Sequence, residues 1–173
     1  MKANFTLMAV MTLNGKIARH SEELVNWSSQ EDKELLKAEI EKADLLIMGR
    51  KTYETVKNKI KKKCLVFSRK KFQKSELIAS GKENIIFINP QKKNLNDFLM
   101  KNNLENILVL GGKKTYDWFF ENKLVNDLLL TIEPIIFKKG LSLIEKDYFK
   151  KSLKLMDFKK LNSQGTIFLH YKT

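Results

Sequence analysis

Short, uninterrupted apolar runs that end on a glycine or a cation constrain this chain more than any other feature. Leu45–Met48, Cys64–Phe67, Ile85–Ile88 and Ile107–Leu110 show no polar alternation, and Phe5–Met11 is apolar almost throughout. That is the pattern of strands covered on both faces, which requires helices above and below one sheet. Helical patterns lie between these runs. Ser28-Ser-Gln-Glu31 reads as a capping box opening a helix through about Lys42, with Leu35, Leu36 and Ile40 on its apolar stripe. Shorter helices are predicted over Thr52–Val56, Leu95–Lys101 and Lys114–Glu121. Leu128–Ile132 is a sixth strand before Pro134, and the apolar runs Leu153–Phe158 and Thr166–Tyr171 suit two antiparallel strands closing the sheet edge. The expectation is an α/β fold with a mostly parallel central sheet and antiparallel C-terminal strands. At 173 residues the chain suits a single domain.

Ligands of such sheets collect at the carboxyl ends of the strands. Three unusual turns fall there: Gly49-Arg-Lys-Thr52, Ser68-Arg69 and Gly111-Gly112. Glycine lets the backbone approach a ligand closely, and unpaired N–H groups at a following helix start attract an anion. Arg50, Lys51 and Arg69 add charge, arginine with a fork suited to phosphate. Together the three turns point to an extended, phosphate-bearing cofactor.

Composition narrows the alternatives. A net charge of +13 keeps nucleic-acid binding open as a second class of hypothesis. All but three of the 33 basic residues are lysines spread along the chain, however, with no zinc-finger spacing and no arginine–aromatic interleaving, so nucleic acid is the less favoured partner. One cysteine, Cys64, sits in an apolar run and reads as a buried, inert thiol. Two distant histidines give no metal site. No apolar run approaches a membrane span and no cleavable leader is evident, so the expected location is cytoplasmic.

The order of Asn14-Gly-Lys-Ile-Ala18, Trp27-Ser-Ser-Gln-Glu-Asp32, Ile47-Met-Gly-Arg-Lys-Thr-Tyr-Glu54, Val66-Phe-Ser-Arg69, Val109-Leu-Gly-Gly-Lys-Lys-Thr-Tyr116 and Leu130-Thr131 resembles the dihydrofolate reductase superfamily. The resemblance spans about three quarters of the chain, and its two glycine blocks are specific as a pair. It implies a three-layer sandwich and NADPH as cofactor. Gly49, Arg50, Lys51 and Thr52 would hold cofactor phosphates, and Ser68 and Arg69 the adenosine 2′-phosphate. Gly111 and Gly112, joined in the family by a cis peptide, would lie under the pyrophosphate and nicotinamide with the following Lys113, Lys114 and Thr115. Tyr116 matches the aromatic residue beside the nicotinamide, and Val10 and Ile17 match positions lining it.

On the substrate side the resemblance implies that Asp32 is the buried acid that orients the ring and Thr131 the threonine bonded to it. Trp27, Met8, Val10 and Leu36 line the same region, with core packing an equal reading for Trp27 and Leu36. A carboxylate in an apolar pocket can fix a heterocycle for hydride transfer and favour its protonation. Asp32, Thr131 and the Tyr53-Glu54 block favour dihydrofolate as substrate.

Other residues depart from the dihydrofolate reductase pattern. Asn26 stands where a proline usually precedes the tryptophan. The folate-tail arginine is missing, leaving Lys61, Lys62 or Lys63, here Lys62, to replace it. Asn14-Gly-Lys-Ile-Ala18 resembles the riboflavin-biosynthesis reductase branch, which reduces 5-amino-6-(5-phosphoribosylamino)uracil, although neither a zinc deaminase domain nor that branch's Asp-Asp-Pro segment is seen. The riboflavin pyrimidine is the alternative substrate, and a non-catalytic basic binding protein the alternative class. Monomer and homodimer both remain open.

Overall fold

The long first apolar run forms β1 (Asn4–Thr12), which lies between two parallel neighbours in the middle of the molecule. The computed structural model describes residues 3–69, 84–92, 94–144 and 151–173. After β1 come β2 (Lys16–Ala18), α1 (Gln30–Lys42), β3 (Leu45–Gly49), α2 (Arg50–Val56), β4 (Cys64–Phe67) and β5 (Ile85–Ile88). There follow α3 (Leu95–Lys101), β6 (Asn106–Val109), α4 (Lys113–Glu121), β7 (Asp127–Glu133), β8 (Leu141–Ser142), β9 (Lys154–Lys160) and β10 (Ile167–Lys172). Among the described residues, eight strands make one sheet in the order β5-β4-β3-β6-β1-β7-β10-β9. The first six are parallel, and β10 and β9 continue it antiparallel. This is the α/β architecture expected from the apolar runs.

Each buried strand feeds two cores because successive side chains point to opposite faces. Leu45, Ile47, Leu65, Ile107 and Val109 join α3 and α4 on one side. Leu46, Met48, Cys64, Val66 and Leu108 join α1 and α2 on the other. Leu35, Leu36 and Ile40 of α1 pack in this second core, so Leu36 supports the sheet as the stripe predicts.

Several element ends shift by one or two residues, as where β6 ends at Val109 and not Leu110, and two features differ in kind from the sequence reading. The N-cap of α1 is Ser29, whose side chain accepts from Asp32 N–H, so the capping pattern starts one residue later than Ser28. The short pair β2–β8 was not foreseen; it rests on a ladder of Lys16 with Ser142 and Ala18 with Leu141, too brief to show periodicity.

Phe119 of α4 is fully buried, with its ring centroid 5.3 Å from Phe5 and 5.8 Å from Phe67, the latter stacked. Such aromatic pairs add to the area they bury. Replacing Phe119 by Ala should destabilise the protein by about 3–5 kcal/mol in denaturant titration. A loss under about 1 kcal/mol would mean the cluster is not the keystone of that core.

Candidate functional site

The described helices begin in two ways. On α1 and α3 the first turns are closed by their own side chains, Ser29 accepting from Asp32 N–H and Asn94 from Asn96 N–H. Both carry first-turn acids, Glu31 with Asp32 and Asp97. By contrast, α2 and α4 begin on Gly49 and Gly112, with no side-chain cap and no first-turn acid. No acid of their own first turns faces their positive dipole ends.

These two starts are adjacent, because β3 and β6 are paired. Gly49 N–H donates to the Gly111 carbonyl at 2.6 Å, and the Gly111–Gly112 peptide is cis, as the resemblance implies. A Cβ on Gly49 would lie 2.8 Å from Thr115 Oγ1, and one on Gly112 would lie 3.0 Å from Thr52 Oγ1. Each glycine thus fits against the threonine of the other helix. Gly111, at φ +90°, sits over Tyr116, where a Cβ would lie 2.7 Å from the ring.

Cations surround this turn. Arg50 pairs with Glu54 at 3.5 Å, and Lys51 Nζ reaches Ser21 Oγ at 3.0 Å and Glu22 at 3.3 Å, all of them exchangeable surface contacts. Ser68 is buried after β4, its N–H donating to the Ile88 carbonyl, and Arg69 beside it is exposed. Lys113 is half-buried in the first turn of α4 and Lys114 is exposed. The donor set fits a phosphate-bearing ligand along this edge.

A second group gathers on the α1 face of the same edge. Parallel pairing sets Val10 beside Thr131, and Phe168 lies opposite Thr131 on β10. Tyr116 O–H donates to the Met8 carbonyl at 2.7 Å, joining the glycine turn to β1. Val10 and Ile17 are half-buried, and Ile17 packs against the first core.

Asp32 is almost fully buried. Burial raises its pKa above the usual carboxylate value. The Thr131 and Ser28 hydroxyls and Lys33 pull it back, while Glu133 pushes it up. Burial, with the charge of Asp32, also raises the Tyr116 hydroxyl. The Thr131 hydroxyl is near enough to favour the Asp32 carboxylate without meeting the geometry of a full hydrogen bond, and Thr131 Oγ1 and Trp27 Nε1 are both buried with no such partner among the described residues. Orphans of this kind cost about 1–3 kcal/mol each and mark where a ligand or water completes the site. Trp27 also packs edge-on to Phe137 at 5.1 Å.

Lys62 stands apart. It precedes β4 at the opposite edge of the sheet and donates to the Glu41 carbonyl at 2.7 Å, at the C-terminal end of α1. It therefore does not join the substrate group, and its lysine cluster faces the wrong end of the strands. Cys64 is inert, its thiol pushed up to about 12 by burial. Sequence reasoning missed Glu133, the buried last residue of β7, which accepts from Ser29 N–H and Thr166 O–H, both at 2.7 Å. Its signal was alternation: Leu129, Thr131 and Glu133 share a face. No metal-ligating group of three or more acids, histidines or cysteines occurs among the described residues, and no helix there is long and apolar enough to cross a membrane.

The model of the RibD C-terminal domain matches residues 4–167. Solved structures share the fold. A pyrimidine reductase-like protein from Corynebacterium diphtheriae is 21% identical with a TM-score of 0.78, over 98% of this chain and 91% of that one. RibD of Acinetobacter baumannii is 14% identical with a TM-score of 0.82, and covers 99% of this chain. A diaminohydroxyphosphoribosylaminopyrimidine deaminase/5-amino-6-(5-phosphoribosylamino)uracil reductase from Thermotoga maritima is 15% identical, with a TM-score of 0.77 over 99% of this chain. The chain spans 58% and 56% of these last two. No curated protein matches the sequence.

The raised pKa of Asp32 has a consequence for stability. A carboxyl whose folded pKa exceeds its unfolded value stabilises the fold fully only below the unfolded value, about 4, and that contribution is lost as pH rises through the folded value. Asp32→Asn should therefore raise Tm at neutral pH, each kcal/mol being worth about 2–4 °C at this length, and lose the advantage at about pH 3. Thermal unfolding across pH checks this; a mutant less stable at about pH 7 would contradict it.

Proposed function

Because the chain belongs to the RibD C-terminal domain family, part of the dihydrofolate reductase-like superfamily, we propose that it is an NADPH-dependent reductase of riboflavin biosynthesis. Its substrate is 5-amino-6-(5-phosphoribosylamino)uracil or a close relative. The family match over residues 4–167 supports the substrate half, and favours the pyrimidine over the dihydrofolate that Asp32 and Thr131 alone suggest. The observation that carries the cofactor half is the pair of uncapped, acid-free helix starts at Gly49 and Gly112, side by side among Arg50, Lys51 and Thr52.

NADPH, when bound, supplies the hydride. The N–H groups of α2 and α4 hold its pyrophosphate with Arg50, Lys51 and Thr52, helped by Lys113, Lys114 and Thr115. Ser68 and Arg69 take the 2′-phosphate. Val10, Ile17 and Tyr116 line the nicotinamide, Tyr116 held in place by its bond to Met8. On the other side, Asp32 and Thr131 grip the polar edge of the pyrimidine, and Trp27 closes the pocket. Reduction delivers hydride to the ribosyl carbon that carries the amino nitrogen, breaks that carbon's bond to the sugar ring oxygen and leaves a proton on the oxygen. Asp32, buried and shifted toward its protonated form, orients the ring and holds a proton beside it.

The purified protein should oxidise NADPH with the ribosylaminopyrimidine phosphate and not with dihydrofolate, followed by loss of nicotinamide absorbance. Asp32→Asn should lower kcat/KM by about 10²–10⁴. Gly49→Ala, whose Cβ collides with Thr115, should weaken NADPH binding at least ~10-fold by calorimetry. Turnover of dihydrofolate alone, or a D32N enzyme that reduces the pyrimidine at the wild-type rate, would overturn the reading.

A further inference from the structure

We infer that Glu133 is a positioning residue, which ties the end of β7, the start of α1 and the β9–β10 turn into one clamp that fixes the place and charge of Asp32. The inference rests on the reading of Asp32 given above. Glu133 is buried although it closes its strand. One carboxylate oxygen accepts from the backbone N–H of Ser29, the N-cap of α1, and the other from the Thr166 hydroxyl, each at 2.7 Å. Ser29 Oγ in turn accepts from the N–H of Asp32. Asn162 extends the chain, with its side-chain amide donating to Thr166 Oγ1 at 2.9 Å and to Glu31 at 3.2 Å, and its Oδ1 accepting from the N–H of Gly165 and of Thr166. No other acid of β7 has this reach, because only Glu133 shares the face of Thr131 and lies beyond it.

A carboxylate at a helix N-terminus is favoured by the dipole and by charge-assisted hydrogen bonds. It fixes the rotation and height of the first turn, where Asp32 sits. The charge of Glu133 also acts on Asp32 directly and disfavours its ionised form. Lys33 on α1 opposes it, and Tyr116 faces Asp32 from α4. Both oxygens of Glu133 are occupied within the protein, so it acts through Asp32 and not on substrate.

The test follows the Asp32 side-chain carbon by NMR through a pH titration of the full chain, in wild type, Glu133→Gln and Thr166→Val, with NADPH-dependent turnover of the pyrimidine in parallel. Removing the Glu133 charge should lower the Asp32 midpoint and shift the limb on which the rate falls with rising pH the same way, with kcat reduced about 10–100-fold and NADPH affinity kept. Thr166→Val keeps the charge and should leave the Asp32 midpoint in place. An unmoved midpoint in Glu133→Gln, or an equal shift in Thr166→Val, would overturn the inference. A shifted midpoint in Glu133→Gln, when the wild type itself reduces no pyrimidine, would uphold the Glu133 assignment and remove the proposed reaction.

Discussion

The 2.6 Å bond from Gly49 N–H to the Gly111 carbonyl draws two strand ends together, and the rest of the site depends on how close they come. With a side chain at Gly49, Thr115 would be pushed away, and α4 with it. Because glycine occupies the N-cap of both helices, both start without a side-chain cap, and their partial charges converge on one place. The same turn presses Gly111 onto Tyr116, whose hydroxyl reaches β1. One backbone contact therefore sets the spacing between the two uncapped helix starts and the acid-bearing face.

On that acid-bearing face the chain tolerates unfavourable groups. Among the described residues Asp32 is buried without an ion pair, and Thr131 Oγ1 and Trp27 Nε1 lack full hydrogen bonds. Buried polar groups without partners are costly, and a fold keeps them where a ligand completes them. Glu133 differs: every oxygen is used, and its position before α1 is electrostatically favourable. The two acids lie near each other with opposite characters, one satisfied and one held in reserve.

Much of this was legible in the sequence because buried parallel strands leave a signature of their own. Cys64–Phe67, Ile85–Ile88 and Leu95–Lys101 were placed to the residue, the two strands as apolar runs with clear ends and the helix by the spacing of Leu95, Phe98 and Leu99. The glycine blocks and Asp32 could be read from spacing and resemblance. The exit of Lys62 from the site could not, because the direction of the loop before β4 decides which sheet edge it reaches. Glu133 was equally hidden: beside Pro134 it looks like an acid ending a strand at the surface, and only pairing with β1 and β10 encloses it. The substrate was less legible for a related reason. Asp32 and Thr131 describe how a heterocycle is gripped and do not specify which one, while the match that favours the pyrimidine is spread along residues 4–167.

The last strand of the sheet, β9, is exposed along its whole length, with Leu155, Met156 and Phe158 open to solvent. Among the described residues no strand pairs with its outer edge, and an edge of this kind is a template for strand addition and fibril growth. Lys154, Lys159 and Lys160 stand on it, and a second copy approaching edge to edge brings the same cations against them. Part of the lysine excess that looked like a polyanion-binding signal thus lies along a sticky border, where like charge opposes edge-to-edge approach and Asp157 offsets only one of the three cations.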